Sequence, residues 1–279
     1  MPGKLSEAMV ARLAEPVEVD AWADFCDRAP ADVVEAAGIG TIREGDVLAS
    51  RASKYDVVAI NRVFGLGVTA AAIEAQLDRL LFLYEADPPA RVAVQLCPTA
   101  QPAALPGWLQ KRGFEFLNHW VRLYARVETL PAEQETGPIH VERVDEAGAE
   151  SFGRLCAEAF GWPAVFGRWT SSIVGRPGWQ NFMAFESETP IGTGSLYTTG
   201  NIGWLGMAAT HAAHRRRGSQ SALLHRRFRA ARELGCDWLI VETAEDRPDK
   251  PAQSYRNLRR LGFEAAYLRA NWIQRRSFA

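Results

Sequence analysis

The segment from Ile202 to Leu234 constrains this chain more than any other. An apolar, glycine-containing run, Ile202 to Ala209, leads through Arg215-Arg216-Arg217-Gly218-Ser219-Gln220 into an amphipathic helix that starts near Ser219. A strand, a basic glycine turn and a helix start, in that order, make a site for an anionic group. The turn exposes backbone N–H groups, the first helical N–H groups lack internal partners, and the helix dipole adds partial positive charge. Such a turn can hold a pyrophosphate. Taken alone it is equally a solvated, basic helix start.

The residues that follow narrow the choice. Leu223, Leu224, Phe228, Ala231 and Leu234 recur at helical spacing, and Gly235 lies where a left-handed C-cap is expected. Cys236 to Val241 is an apolar run of strand length that reads as buried on both faces. A polar loop, Ala244 to Pro251, then enters a short helix, Gln253 to Leu261, closed by Gly262-Phe263. A strand-like run from Glu264 to Gln274 follows.

In this order the residues resemble the C-terminal core of the GNAT acyltransferase superfamily, whose members hold the pyrophosphate of acetyl-coenzyme A in a [Q/R]-x-x-G-x-[G/A] turn. Here Arg215-x-x-Gly218-x-Gln220 occupies that place, followed by helix, strand, short helix and Gly262-Phe263. The likeness reaches back to Ile139 through a strand to Val144, two helices before Gly178, and strands Asn181 to Glu186 and Ile191 to Tyr197. Gln220 departs from the pattern, and its side chain must point aside or contribute its amide. The resemblance implies an α/β (α+β) fold with a mixed, mostly antiparallel twisted sheet flanked by helices. It also implies acetyl-CoA as acyl donor, without a metal.

Length and charge fit this expectation. The 279 residues, 47% hydrophobic, suffice for one large or two ordinary domains, and a net charge of −1 argues against a general polyanion binder. Positive charge is instead local, with Arg226, Arg227, Arg229 and Arg232 joining the three arginines of the turn. Nucleic-acid binding by that helix finds no aromatic–basic alternation to support it. Cys26, Cys97, Cys156 and Cys236 form no Cys-x-x-Cys pair and read as buried hydrophobes of a reducing compartment. With no 18-residue apolar run and no signal-peptide pattern, the expectation is a cytoplasmic protein without membrane or nucleic-acid partners, monomeric or homodimeric.

The chain also looks like itself. Glu128 to Pro138 is polar, contains two prolines and reads as a linker between residues 1–127 and 139–279. The Gly-Phe pairs at Gly113 and Gly262 lie 149 positions apart, and Gly67 and Gly206, in similar apolar runs, lie 139 apart. The second half therefore carries ten extra residues between these landmarks, where the phosphate turn lies. In the first half, Val68 passes through Thr69 almost directly into a helix expected over Ala70 to Tyr84. This pattern describes two GNAT-like domains in tandem, the first degenerate and lacking the coenzyme turn.

The resemblance assigns site residues in the second half. Backbone groups of Ala208, Ala209 and Thr210 would pair with the pantetheine arm. Arg215, Arg216, Arg217, Gly218, Ser219, Gln220 and Ser221 would hold the phosphates, and Asn257 would touch the coenzyme through its amide. Many members carry a general-base Glu on the strand before the turn, but Asn201 to His214 contains no carboxylate, so the nearest acidic candidate is Glu242. The usual acid, a Tyr four residues before the Gly of Gly-Phe, is Leu258 here, and Tyr255 lies one turn earlier. His211 can also titrate near neutrality, although a histidine before an arginine turn is equally just exposed. Trp162, Phe166 and Trp169 suggest an apolar lip for the acceptor, although core packing explains them equally. The functional expectation is transfer of acetyl to the amine of a small molecule by direct attack in a ternary complex. The alternative is a non-catalytic acyl-CoA-binding or interaction protein, favoured by the missing strand carboxylate.

Overall fold

The computed structural model describes residues 4–132 and 138–275; Glu133 to Gly137, in the middle of the expected linker, lie outside the described residues. The chain starts with α1 (Glu7–Asp27), capped by Ser6, whose side chain accepts from the Met9 N–H. Then come α2 (Ala31–Ala37), β1 (Ile39–Glu44), β2 (Val47–Ala52), β3 (Arg62–Phe64), α3 (Glu74–Phe82), β4 (Arg91–Leu96), α4 (Leu105–Lys111) and β5 (Glu115–Arg126). The second half runs β6 (Ile139–Arg143), α5 (Ala149–Phe160), α6 (Val165–Ser171), β7 (Trp179–Glu186), β8 (Thr189–Thr199) and β9 (Ile202–Thr210). It ends with α7 (Ser219–Glu233), β10 (Trp238–Ala244), α8 (Gln253–Arg260) and β11 (Glu264–Arg275). From Ile139 onward these elements match the expected order, and the mixed, mostly antiparallel α/β architecture is the one the resemblance implies. Gly235 takes the left-handed conformation expected after α7, with φ +73°.

Among the described residues eleven strands form one sheet, in the order β1-β2-β3-β4-β11-β5-β10-β9-β8-β7-β6, and of their pairs β3–β4 and β9–β10 are parallel. The final strands of the halves are exchanged: β5 of the first half pairs with β10 of the second, and β11 of the second pairs with β4 of the first. These two strands also pair with each other, from Glu264↔Tyr124 to Ile273↔Glu115. Sequence reading left each tail strand with its own half, because a hairpin to the nearest partner is the local default. Pairing across the halves depends on contacts more than 100 residues apart, such as Ala270↔Leu96.

A polar layer sits on this junction. Helix α1 carries Glu15 and Glu18, both 1% exposed, against the sheet face from which Arg62 (β3), Arg122 (β5), Glu242 (β10) and Arg269 (β11) project. Glu18 bridges Arg62 at 3.0 Å, Arg269 at 2.6 Å and Arg122, while Arg269 also meets Glu242 at 2.8 Å and Glu15 at 3.3 Å. Tyr267 donates to Glu15 at 2.7 Å. Burial alone would raise the Glu18 carboxyl, but Arg269, Arg122 and Arg62 outweigh it and hold Glu18 well below the usual carboxylate range. Because side chains alternate along a strand, slipping β5 or β11 by one residue would carry Arg122 or Arg269 to the other face and strand the glutamates.

No helix among the described residues is long and apolar enough to cross a membrane. All four cysteines are buried and free of disulfides. In the first half, α3 starts at Glu74 instead of Ala70, since Ala72 N–H bonds outward to the Gln101 carbonyl, and its N-cap Ile73 has no side-chain acceptor to offer.

With the last strands exchanged, neither half can unfold without opening the other. Urea unfolding followed by tryptophan fluorescence and by far-ultraviolet circular dichroism is expected to give one coincident transition. Two separated transitions, one per half, would contradict the exchanged topology.

Candidate active site

The site begins where β9 parts from β10. Their parallel ladder runs from Ile202↔Trp238 to Leu205↔Val241 and ends there, while Glu242 to Ala244 of β10 continue on β5 alone. The cause is local to β9. Its register with β8 shifts between Thr193 and Ser195, Met207 adopts φ +46°, and the Met207 carbonyl turns to accept from Thr193 Oγ1 at 3.0 Å. Beyond the shift, the β10-facing backbone of Ala208 to Thr210 has no strand partner. Gly206 permits the bend: a Cβ there would lie 1.9 Å from the Trp204 ring.

The opened strands, α7 and α8 enclose a cavity of about 750 Å³. Ala208, Ala209, Thr210, Arg215, Arg216, Gly218, Ser219, Gln220, Ser221 and Asn257 line it. Sequence reading therefore brought ten residues to one wall. Gly218 takes φ +98°, which turns the chain into α7, and the first intrahelical bond is Ala222 N–H to the Gly218 carbonyl. The N–H groups of Ser219, Gln220 and Ser221 are thereby left for a ligand. The arginine turn is positively charged at this rim, so the residues present fit a pyrophosphate.

Other assignments come out differently. Arg217 does not line the cavity; it turns to Glu186 at 2.8 Å, which also bonds His214 Nδ1 at 3.1 Å. These two contacts, His214 first, hold the Glu186 carboxyl below its ordinary value. His211 takes a local role, accepting from the Ala213 N–H. Gln220, the motif departure, lines both cavities and contributes its amide: its Oε1 accepts from Asn257 Nδ2 at 2.6 Å. Asn257 Oδ1 in turn accepts from Gln253 and Arg260, each at 2.9 Å, so its amide ties α7 to α8. The helix arginines are dispersed: Arg229 pairs with Glu233, Arg232 caps the Leu130 carbonyl, and Arg226 lies 4.9 Å over the Phe182 ring.

A second cavity, of about 310 Å³, adjoins the first and shares Phe160, Ala208, Gln220, Arg227, Thr243 and Ser254 with it. It lies between the halves. Trp22, Trp120, Trp162 and Trp204 provide flat walls, and Glu18, Arg62 and Glu242 expose one edge of the ionic layer to it. Of the expected acceptor lip only Trp162 is here. Phe166 and Trp169 are fully buried, because Trp169 stacks on Phe25 at 4.3 Å and donates to its carbonyl at 2.7 Å. They hold α6 to α1, and core packing won over the cavity.

Glu242 does reach the second cavity. Its Oε2 binds Arg269 at 2.8 Å and lies 3.5 Å from Arg122, whereas Oε1 lies 3.8 Å from Arg62 and accepts no hydrogen bond among the described residues. Burial pushes its carboxyl up, Arg269 partly offsets this, and the neighbouring Glu18 charge adds to the rise. Tyr255 faces away from both cavities, into the apolar core beneath α8. Ser254, which lines both, was missed; its helical spacing to Asn257 and Leu258 was the available signal. Arg260 was missed too, and Glu18, Arg62 and Trp22 carried no local signal because they come from the other half. Among the described residues no cluster of three or more metal-type ligands occurs.

Residues 150–263 match the acetyltransferase (GNAT) family. In sequence, no curated protein matches the chain. In structure, it is similar to a GCN5-related N-acetyltransferase from Kribbella flavida, at 15% identity, covering 98% of each chain with a TM-score of 0.64. A GCN5-related N-acetyltransferase from Sphaerobacter thermophilus is 20% identical over 98% of this chain and 94% of its own, with a TM-score of 0.60. A tandem GNAT protein from the clavulanic acid biosynthesis pathway is 16% identical, covering 99% and 98%, with a TM-score of 0.55. Residues 150–263 thus carry the match to the acetyltransferase (GNAT) family, and over nearly its whole length the chain shares the fold of these GNAT structures.

The bend that forms the site depends on the bare Gly206. Gly206→Ala is expected to push Trp204 out of place and destabilise the protein by about 1–3 kcal/mol, read by denaturant titration. An unchanged midpoint would contradict this packing.

Proposed function

We propose that the protein is an acetyl-CoA-dependent N-acetyltransferase that acetylates the amine of a small molecule by direct attack within a ternary complex. The observation that carries this reading is the meeting of two cavities at the unpaired edge of β9: one ends in an anion-binding turn, and the other is sized for a small acceptor. Residues 1–127 then serve the reaction through the acceptor cavity, to which they contribute Trp22, Arg62 and Trp120.

Acetyl-CoA supplies an activated thioester when bound. The N–H groups of Ser219 to Ser221, with Arg215 and Arg216, hold its phosphates, and the free edge of Ala208 to Thr210 takes the pantetheine arm. A backbone N–H of that edge polarises the thioester carbonyl. The tryptophan walls orient the amine, so that its N–C bond forms as the C–S bond breaks. The proton lost by nitrogen passes to Glu242 Oε1 and finally to the coenzyme sulfur. Ser254, which borders both cavities, is better placed than Tyr255 to escort it.

A non-catalytic acyl-CoA-binding protein is the competing reading. It is favoured by one observation, that both carboxylates on the acceptor wall are ion-paired. Calorimetry with acetyl-CoA and a thiol-release assay over an amine panel separate the two: binding without release supports the competing reading, and no binding sinks both.

Two variants test the placement. Gly218→Asp puts a carboxylate beside the phosphates at a left-handed position, and coenzyme affinity is expected to fall about 100-fold or more. Unchanged affinity by calorimetry would move the site elsewhere. Glu242→Gln is expected to lower kcat by about 100-fold. Because a base works deprotonated, wild-type kcat/KM should rise with pH through the raised Glu242 pKa, and the variant should lose that limb. A variant that keeps the same limb would exclude Glu242.

A further inference from the structure

Arg227 stands apart from every other buried arginine of the site. Its side chain is 1% exposed; Nε donates to the Leu223 carbonyl at 3.0 Å and Nη1 to the Ser195 carbonyl at 3.3 Å. Both partners are neutral, and among the described residues no carboxylate lies within ion-pair reach. Among the described residues Nη2 has no acceptor, and the residue borders both cavities where they meet. Burial pushes its pKa down to about 9, so the guanidinium is still charged at neutral pH.

The rest of the second cavity's wall is balanced. Arg62 meets Glu18, and Glu242 meets Arg269 and Arg122. A buried charge without a counter-ion is costly unless a ligand completes it. Nothing in the donor does so there, because a thioester is neutral and the phosphates belong to the turn, about two helix turns back along α7. The missing anion must therefore arrive with the acceptor.

We propose that Arg227 binds a carboxylate of the acceptor, and hence that the acceptor is an amino-carboxylic acid with a flat apolar body seated among Trp22, Trp120, Trp162 and Trp204. The inference rests on the acetyltransferase reading. Two donors of one guanidinium already fixed by carbonyls leave Nη2 rigidly aimed, which suits a charge-assisted hydrogen bond to carboxylate. The same arrangement discriminates against the corresponding amide, which has no charge to neutralise the arginine.

Calorimetry on the full chain with coenzyme A bound tests this without requiring turnover. The probes are the N-acetyl derivatives of glycine, leucine, phenylalanine and tryptophan, each compared with its carboxamide. Wild type is expected to bind at least one acid about 10- to 100-fold tighter than its amide. Arg227→Met should abolish that preference while coenzyme A affinity stays within about threefold. Arg227→Lys, which keeps the charge, should retain a reduced preference and serves as the readout if Arg227→Met fails to fold. Equal affinity of acid and amide in wild type across the series, absence of binding included, overturns the proposal. So does a preference that survives both substitutions. A wild type that fails to bind coenzyme A instead refutes the acetyltransferase reading itself, and the two failures are told apart in the first titration.

Discussion

Three arginines and three glutamates from five elements meet on one face of the sheet, at the strands where the halves are joined. Glu18 alone contacts Arg62, Arg122 and Arg269, and each of those arginines sits on a different strand. Such a buried network adds little net stability over an apolar core, since desolvation cancels most of the attraction. Its physical effect is selective: the exchanged register places the charges opposite one another, and alternatives leave them buried and alone. Gln95, Asn271 and Asn118 extend the same logic across β4, β11 and β5, with side-chain bonds of 2.7 Å.

The proposed reaction depends on this junction because Glu18, Arg62 and Glu242 of the ionic layer line the second cavity. The exchanged strand β5 pairs with the opposite edge of β10 along its whole length, from Trp238 to Ala244, so β10 stays anchored in the sheet where β9 parts from it. The parting gives β9 its free backbone, and the junction charges give the cavity a balanced polar floor. The first half, without a coenzyme turn of its own, thus supplies a strand that permits the splay and side chains that finish the acceptor wall.

The glycine turn into α7 was legible in the sequence because a helix start is made of consecutive residues: Gly218 sets the turn, and the next three N–H groups follow in order. The element order and the Gly113 and Gly262 landmarks were legible for the same reason, each being a local pattern. Arg217 was not, since only the fold shows Glu186 beside it. Phe166 and Trp169 illustrate a deeper limit. An aromatic near a cleft and an aromatic under it share one composition, and packing against Phe25 decided between them. The strand exchange, the α1 glutamates and the isolation of Arg227 all depend on partners distant in sequence, or on their absence.

The central claim is that one coenzyme site per chain lies in the splay between β9 and β10. A crystal structure with coenzyme A bound tests it most directly. The account expects one molecule per chain, its pyrophosphate against the backbone N–H groups of Ser219 to Ser221 and its sulfur where the two cavities meet, beside Ala208. A coenzyme bound instead in the first half, near the start of α3, or with its phosphates away from Gly218, would contradict it.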